Sequence, residues 1–293
     1  MATGEVTSLG AKVTEGKRQM MVSSMNQVSE TQNPKLLKVD FMAKKKDGLK
    51  LIVDGKRLDG RAADQLRPVR IEAHVLNDAN GSAYVEWGKN RVLAGVYGPQ
   101  ECIPKHDASP YGALIKCRYT MASFCSLEEH GRSGPNRRSI EISKVMTDAF
   151  KSVIFTEYYP KTQIAVFVEV LQSDGGTRCA AINAASVALV DAGIPMRDMV
   201  TAVAFAKVDD QIVIDAAKEE DNFGQADVPV AIGANSKEIL LLQMDGILSK
   251  EEMQQGMEYA YSAAEYLHRL QKDALERVFT TTAQEKKETF LRM

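Results

Sequence analysis

The chain has 293 residues, 44% hydrophobic and 26% charged, a balance that suits one large or two ordinary globular domains with a substantial core. With 37 Lys+Arg against 39 Asp+Glu, the formal net charge of −2 excludes a strongly basic body that coats nucleic acid through bulk charge, so any anion site must be local. No apolar run approaches the roughly 18 residues of a membrane span, no basic-then-apolar leader opens the chain, and Cys102, Cys117, Cys125 and Cys179 show neither a C-x-x-C pair nor metal-ligand spacing, which reads as a cytoplasmic chain with reduced thiols.

Residues 1–48 are rich in Ser, Thr, Gln, Lys and Met and hold one aromatic, Phe41. Eight basic and five acidic residues give this stretch about +3 and leave about −5 for the rest. It reads as a flexible extension whose Lys44-Lys45-Lys46 run is either a solvated arm or an RNA contact. From Arg67 the pattern changes to short β-branched segments: RPVRIEAHVL, then SAYVEWG after an Asn80-Gly81 turn, then RVLAGVYG closed by Gly98-Pro99. These predict antiparallel strands. LIKCRYTMASF predicts another strand, and CSLEEHGRSGPN a loop punctuated by Gly and Pro. Ile142, Val145, Met146, Ala149, Phe150, Val153 and Ile154 recur at spacings of three and four, predicting an amphipathic helix over 137–156.

A second half follows with its own strands and helices. QIAVFVEVL predicts a strand, 177–192 a helix stopped by Gly193 and Pro195, and TAVAFAKVDDQIVIDA a hairpin turning at Asp209-Asp210. VPVAI and EILLLQM predict two more strands. The end reads as a long helix opened by a Ser249/Glu252 capping box, with Met253, Met257, Ala260, Ala264, Leu267, Ala274 and Val278 on one face. Mixed element order predicts an α/β (α+β) chain of mixed sheets packed with helices, not a doubly wound parallel sheet. The domain reading is the 1–48 extension followed by one domain over 49–285, in two βα halves, 49–160 and 161–285.

Three constellations carry the chemistry. Gly175-Gly176-Thr177-Arg178 places an arginine where a helix begins, an end already made partly positive by the peptide dipoles. Either an anion sits there, cradled by glycine-freed amides, the Thr177 hydroxyl and the Arg178 fork, or this is a Gly-Gly turn with a solvated arginine. No Walker loop and no G-x-G-x-x-G motif occurs. Arg137-Arg138 repeats the anomaly at another predicted helix start, again resolved either by an anion or by simple exposure. The third is the acidic stretch from Asp215 through Glu219, Glu220 and Asp221 to Asp227. Asp221 and Asp227 share a site only if Gly224 folds the chain back, and would then hold Mg²⁺ or raise one another's pKa for general acid work; otherwise the stretch is a solvated acidic loop. His74, His106, His130 and His268 have no ligand spacing.

Together, RLDGRAADQLRPVRIE (57–72), DANGSAYVEWG (78–88), VYGP (96–99), RRSIEIS (137–143), LQSDGGTRCAAINAASVALVDAGIPMRD (171–198) and EEDNFGQADVPV (219–230) resemble the RNase PH family, in order from about Leu49 to Phe279. More narrowly, they resemble its catalytic subunit in the archaeal exosome. The resemblance implies an RNase PH-like fold and a phosphate-dependent 3′→5′ exoribonuclease that releases nucleoside diphosphates and, in reverse, adds 3′ tails. It implies inorganic phosphate held by Gly175, Gly176, Thr177, Arg178 and Arg138, and RNA held by Arg137, Arg138 and Arg178. Asp227 is then the acid for the leaving oxygen, or with Asp221 a Mg²⁺ ligand. The implied partners are single-stranded RNA, a second, inactive RNase PH-like subunit in a six-membered ring (a trimer of heterodimers), and RNA-binding cap proteins. Departures are small: Glu219 stands where aspartate is usual and Thr177 where serine is frequent. The other readings are a homo-oligomeric RNase PH that trims tRNA 3′ ends and a non-catalytic RNA-binding ring subunit.

Overall fold

The computed structural model describes residues 50–53, 55–126 and 136–292, with side chains described through 280. The 1–48 extension and most of the 125–136 loop lie outside the described residues. Two five-stranded sheets flank one buried helix. The first sheet has β3 (Val69–Ala73), β4 (Gly81–Trp87), β5 (Asn90–Glu101), β6 (Leu114–Met121) and β7 (Thr162–Gln172) in the order β3-β4-β5-β7-β6. All its pairs are antiparallel except β6 with β7. The strand at 162–172, grouped by sequence with the second half, thus completes the first sheet. A two-stranded ribbon, β1 (Ile52–Val53) with β2 (Lys56–Arg57), precedes it.

The second sheet runs β11 (Ile239–Leu242), β10 (Ala226–Gly233), β8 (Val200–Val208), β9 (Gln211–Ile214), with β12 (Asp245–Gly246) also paired to β10. Its β8–β9 turn falls on Asp209-Asp210 as expected, both at positive φ, as a two-residue hairpin requires.

Helices follow from side-chain periodicity. In α1 (Arg137–Val153), Ile142, Met146, Ala149, Phe150 and Val153 are buried and pack on β6; the spacing of three and four makes one apolar stripe. It ends at Val153, short of 156, where Ile154 turns extended. Twelve of the fifteen residues of α2 (Thr177–Asp191) are buried, and the helix touches β4, β5 and β7 on one side and β8 and β10 on the other. A helix apolar all round belongs in a core, and its alanines let both sheets approach. A short α3 (Lys218–Phe223) leads into β10. The long α4 (Lys250–Arg292) covers β8 and β9. Ser249 and Glu252 form the expected capping box, and Ala260, Ala264, Leu267 and Ala274 are buried on the expected face.

Two turns differ from expectation. Asn80-Gly81 is not a hairpin turn: residues 74–80 link β3 to β4, the Asn80 amide pairs with Val96, and Gly81 opens β4. The tight turn is Gly88-Lys89, set by Trp87 facing Asn90, with Gly88 at φ 58°. Nor does β5 close at Gly98-Pro99; it continues to Glu101 through an irregular register between Tyr97 and Gln100, the proline's missing donor being absorbed by a bulge. The four cysteines are free. Among the described residues no helix is long and apolar enough to cross a membrane.

Candidate active site

The two helix starts singled out by their arginines open onto one cleft. It encloses about 560 Å³ and is lined by Arg138 from α1, Gly176, Thr177 and Arg178 from the start of α2, Asp221 from α3 and Asp227 from β10. The residues meet because α1 and α2 start, and α3 turns into β10, at the same edge of the two-sheet sandwich. Gly224 makes the corner: its amide closes α3 on Glu220, and a Cβ there would stand 2.6 Å from that same carbonyl oxygen. That fold-back brings Asp221 and Asp227 together, as their spacing required.

Gly176 is the N-cap of α2, at φ 67°, and supplies no side-chain cap. The amides of Gly175, Gly176, Thr177 and Arg178 have no acceptor among the described residues. Such orphan donors, with the positive end of the dipole, form a ready receptacle for an anion. Thr177 is buried, its hydroxyl oxygen accepting from Tyr119 at 3.0 Å. Arg178 bonds Gln243 and lies 3.9 Å from Glu141, while Gln243 donates to Glu141 at 3.0 Å. At α1, Asn136 and Ser139 form the capping box, so those amides are partly satisfied and any anion there would be met by the side chains. Arg138 has no ion pair among the described residues and is exposed along the cleft.

The carboxylates differ in setting. Asp227 has its pKa pushed up to about 6 by burial, by Asp221 and by Asp245, against the pull of Arg178. Asp245 sits directly opposite it across the β10–β12 ladder, the arrangement in which like charges repel most. Asp221 is exposed at the rim, yet enough protein surrounds it to raise its carboxyl against the pull of Arg138 and Arg178.

Two residues expected at the site stand elsewhere. Arg137 is exposed at the helix start and does not line the cleft. Gly175, at φ 77°, faces away: a Cβ there would stand 2.8 Å from Ala217 and Lys218, and its carbonyl accepts from Arg67 and Asn90. Its place is behind the cradle. The acidic stretch is likewise divided, since Asp215 and Glu220 turn inward to Arg67, Arg61 and Arg57. Sequence reasoning missed Arg67, Asn90, Tyr119, Glu141, Gln243 and Asp245. Only the run of arginines in RLDGRAADQLRPVR offered a signal, and burial of those cations is a tertiary fact.

A two-sheet α/β sandwich whose buried central helix points its uncapped start into a cleft, with arginines on one wall and paired carboxylates on the other, defines a class of proteins that handle phosphate-bearing substrates. Residues 65–195 match the 3′ exoribonuclease family, domain 1, and residues 198–263 match domain 2. This chain belongs to the 3′ exoribonuclease family, as its motifs led us to expect. It is 52% identical over 245 residues to the exosome complex component Rrp41 of Pyrococcus abyssi, covering 83% of this chain and 98% of that one. It is equally identical over 245 residues to exosome complex component Rrp41 of Methanosarcina mazei, covering 49% of that longer protein. Among solved structures, rice Rrp46 superposes with a TM-score of 0.68 at 25% identity, over 75% of this chain and 100% of that one. The Archaeoglobus fulgidus exosome with RNA bound to the active site shares the fold, with a TM-score of 0.64 at 24% identity over 74% of this chain and 92% of that one.

Proposed function

We propose that this chain is the catalytic subunit of an exosome ring and shortens single-stranded RNA from its 3′ end by phosphorolysis. The observation that carries the reading is the convergence on one cleft of Arg138, Arg178, the acceptor-free amides of Gly176 to Arg178, and the Asp221/Asp227 pair. Attack of one phosphate on another is opposed by charge repulsion and by the entropy of alignment, so a site of fixed cations and amides supplies most of what the reaction needs. Orthophosphate occupies the start of α2, bound by the amides and by Arg178. Arg138 and Arg178 face the terminal phosphodiester, with Arg137 guiding the strand from outside.

An orthophosphate oxygen attacks the terminal phosphorus, and the bond from phosphorus to the penultimate O3′ breaks. The departing electron pair takes the proton held on Asp227, and the attacking phosphate's own proton restores the acid. The products are a nucleoside diphosphate and RNA shorter by one residue. Contacts to phosphate alone carry no base information, which suits degradation without sequence preference.

The carboxylate pair also suits Mg²⁺, a hard cation content with one or two carboxylates and several waters. Asp221 and Asp227 repel one another and lie with Asp245 nearby, so they would hold the ion, which when bound would offset charge on the reacting phosphates. Among the described residues there is no group of three or more His, Cys, Asp or Glu able to cage a metal. Because the matching relatives are named exosome complex components, the proposed partners are a second, inactive RNase PH-like subunit alternating in a ring of three heterodimers, and RNA-binding cap proteins.

Labelled single-stranded RNA incubated with the assembled protein, with and without phosphate, tests the reading. Nucleoside diphosphates that appear only with phosphate are the expected product. Monophosphates would replace phosphorolysis by hydrolysis, and intact RNA would leave a non-catalytic RNA-binding subunit.

A further inference from the structure

Behind the cradle lies a set of polar contacts that the chemistry above leaves unused. Asn90, the fully buried first residue of β5, accepts from the Asp174 amide at 2.5 Å and donates to the Gly175 carbonyl at 2.6 Å. It grips that peptide as a neighbouring strand would. Arg67 donates to the Asp174 carbonyl at 2.5 Å and to the Gly175 carbonyl at 3.2 Å. Its guanidinium is itself fixed on Asp215, with Nη2 at 2.6 Å from Oδ1 and Nε at 3.0 Å from Oδ2, while the Arg67 amide and the Trp87 indole N–H hold Oδ2 at 2.8 and 2.9 Å. Arg67 also lies across the Gly88 turn, where an added Cβ would meet its Cδ at 2.6 Å. The Asp215 carboxylate and the two backbone carbonyls hold it in place.

These contacts draw the acceptors of residues 174 and 175 away from the cleft. A carbonyl turned toward a bound phosphate would repel it, so fixing carbonyls to the rear leaves the left-handed Gly176 to present the donors of Thr177 and Arg178 to the front. We propose that Arg67 and Asn90 are positioning residues that set the affinity of the cleft for inorganic phosphate, acting through the Asp174–Gly175 backbone and touching neither phosphate nor RNA. This rests on the reading of the cleft as a phosphate site. It adds that phosphate affinity is set from β5 and from the irregular segment leading into β3, outside every element that lines the cleft.

Two variants separate positioning from folding. Arg67→Lys keeps the charge against Asp215 but loses the fork that reaches both carbonyls; Asn90→Ala removes the two-way grip and leaves Arg67 intact. Titrating the full-length chain with inorganic phosphate by calorimetry, we expect each variant to bind about ten- to a hundredfold more weakly, by analogy with the loss that follows when residues supporting metal ligands are removed. Affinity for a labelled single-stranded RNA, read by fluorescence anisotropy, should change by less than about twofold, since outer phosphate contacts remain. Folding is checked by circular dichroism. Folded variants that bind phosphate as wild type does, or that lose phosphate and RNA affinity together, overturn the inference. A wild-type chain that binds no phosphate overturns the phosphate reading of the cleft and this inference with it.

Discussion

Behind the Gly175–Arg178 turn, Arg57, Arg61 and Arg67 are 3%, 7% and 6% exposed, and Asp215 and Glu220 answer them from 2.6 to 3.9 Å as well as through a shorter Arg57–Glu220 contact. In front of it, Arg138 is exposed with no ion pair among the described residues, and Arg178 is held by Gln243 and a distant Glu141 at the cleft wall. The residue types are the same on both sides, and the difference is water. An interior guanidinium must be neutralised and hydrogen-bonded nearly everywhere it can donate. A guanidinium facing an open cleft can be left under-neutralised, and that residual charge is what recruits a polyanion. The same contrast divides the acids: pairing with Arg67 holds the Asp215 carboxyl below its ordinary value of 3.8 despite burial, whereas burial and Asp221 push Asp227 up to about 6.

The largest expected effect breaks the rear cluster. Arg67→Ala leaves Asp215 buried and short of its main partner, so unfolding in urea should show a loss of about 3–5 kcal/mol; a loss below about 1 kcal/mol would mean water or Arg61 substitutes for it. Next, Arg178→Ala should cost about 10²- to 10³-fold in kcat/KM, near 3–4 kcal/mol of transition-state stabilisation, with stability changed by less than about 1 kcal/mol because that contact is partly exposed. Matching losses of stability in the two variants would erase the distinction between rear and front.

The third expectation sharpens the contrast between the acids. A carboxyl whose folded pKa is depressed contributes stability above its unfolded value and loses it as pH falls, so the Asp215 contribution should vanish only below about pH 3.8. A raised pKa works the other way: the folded state grips a proton at Asp227 that the unfolded state releases, so stability falls as pH rises from 3.8 to about 6. If Asp227 is the acid, turnover should also fall as pH rises through about 6. A rate that rises there instead assigns it to Mg²⁺. The smallest effect separates two adjacent cations. Arg138→Ala should weaken RNA binding and lower the slope of log affinity against log salt by about one, and Arg137→Ala, outside the cleft, should do less.

Part of the cleft was legible because an arginine at a helix start is an electrostatic anomaly that either an anion or exposure to water must relieve. Arg138 and Arg178 showed it, and so did the spacing of Asp221 and Asp227 across a glycine. What was not legible was which polar residues turn inward. Nothing in KEEDNFGQAD distinguishes Glu220, locked on Arg57, from Asp221 one position later, at the rim of the cleft. On one turn of helix the two differ by about 100° of rotation, and only the position of α3 on its neighbours decides which points in. The Asn80-Gly81 turn was misplaced for a related reason. A dipeptide fit for a two-residue hairpin also fits the entry to a strand, and pairing across β4 and β5 moved the true turn to Gly88-Lys89.

Local sequence determined the element types, the uncapped glycine start of α2 and the kinds of charge available, because periodicity, left-handed glycine and helix dipoles act within a few residues. Tertiary structure alone decided that cations spread along the chain from Arg57 to Arg178 divide into a paired rear cluster and an open front wall. Dielectric environment and distance are properties of neighbours in space, and no spacing along the chain encodes them.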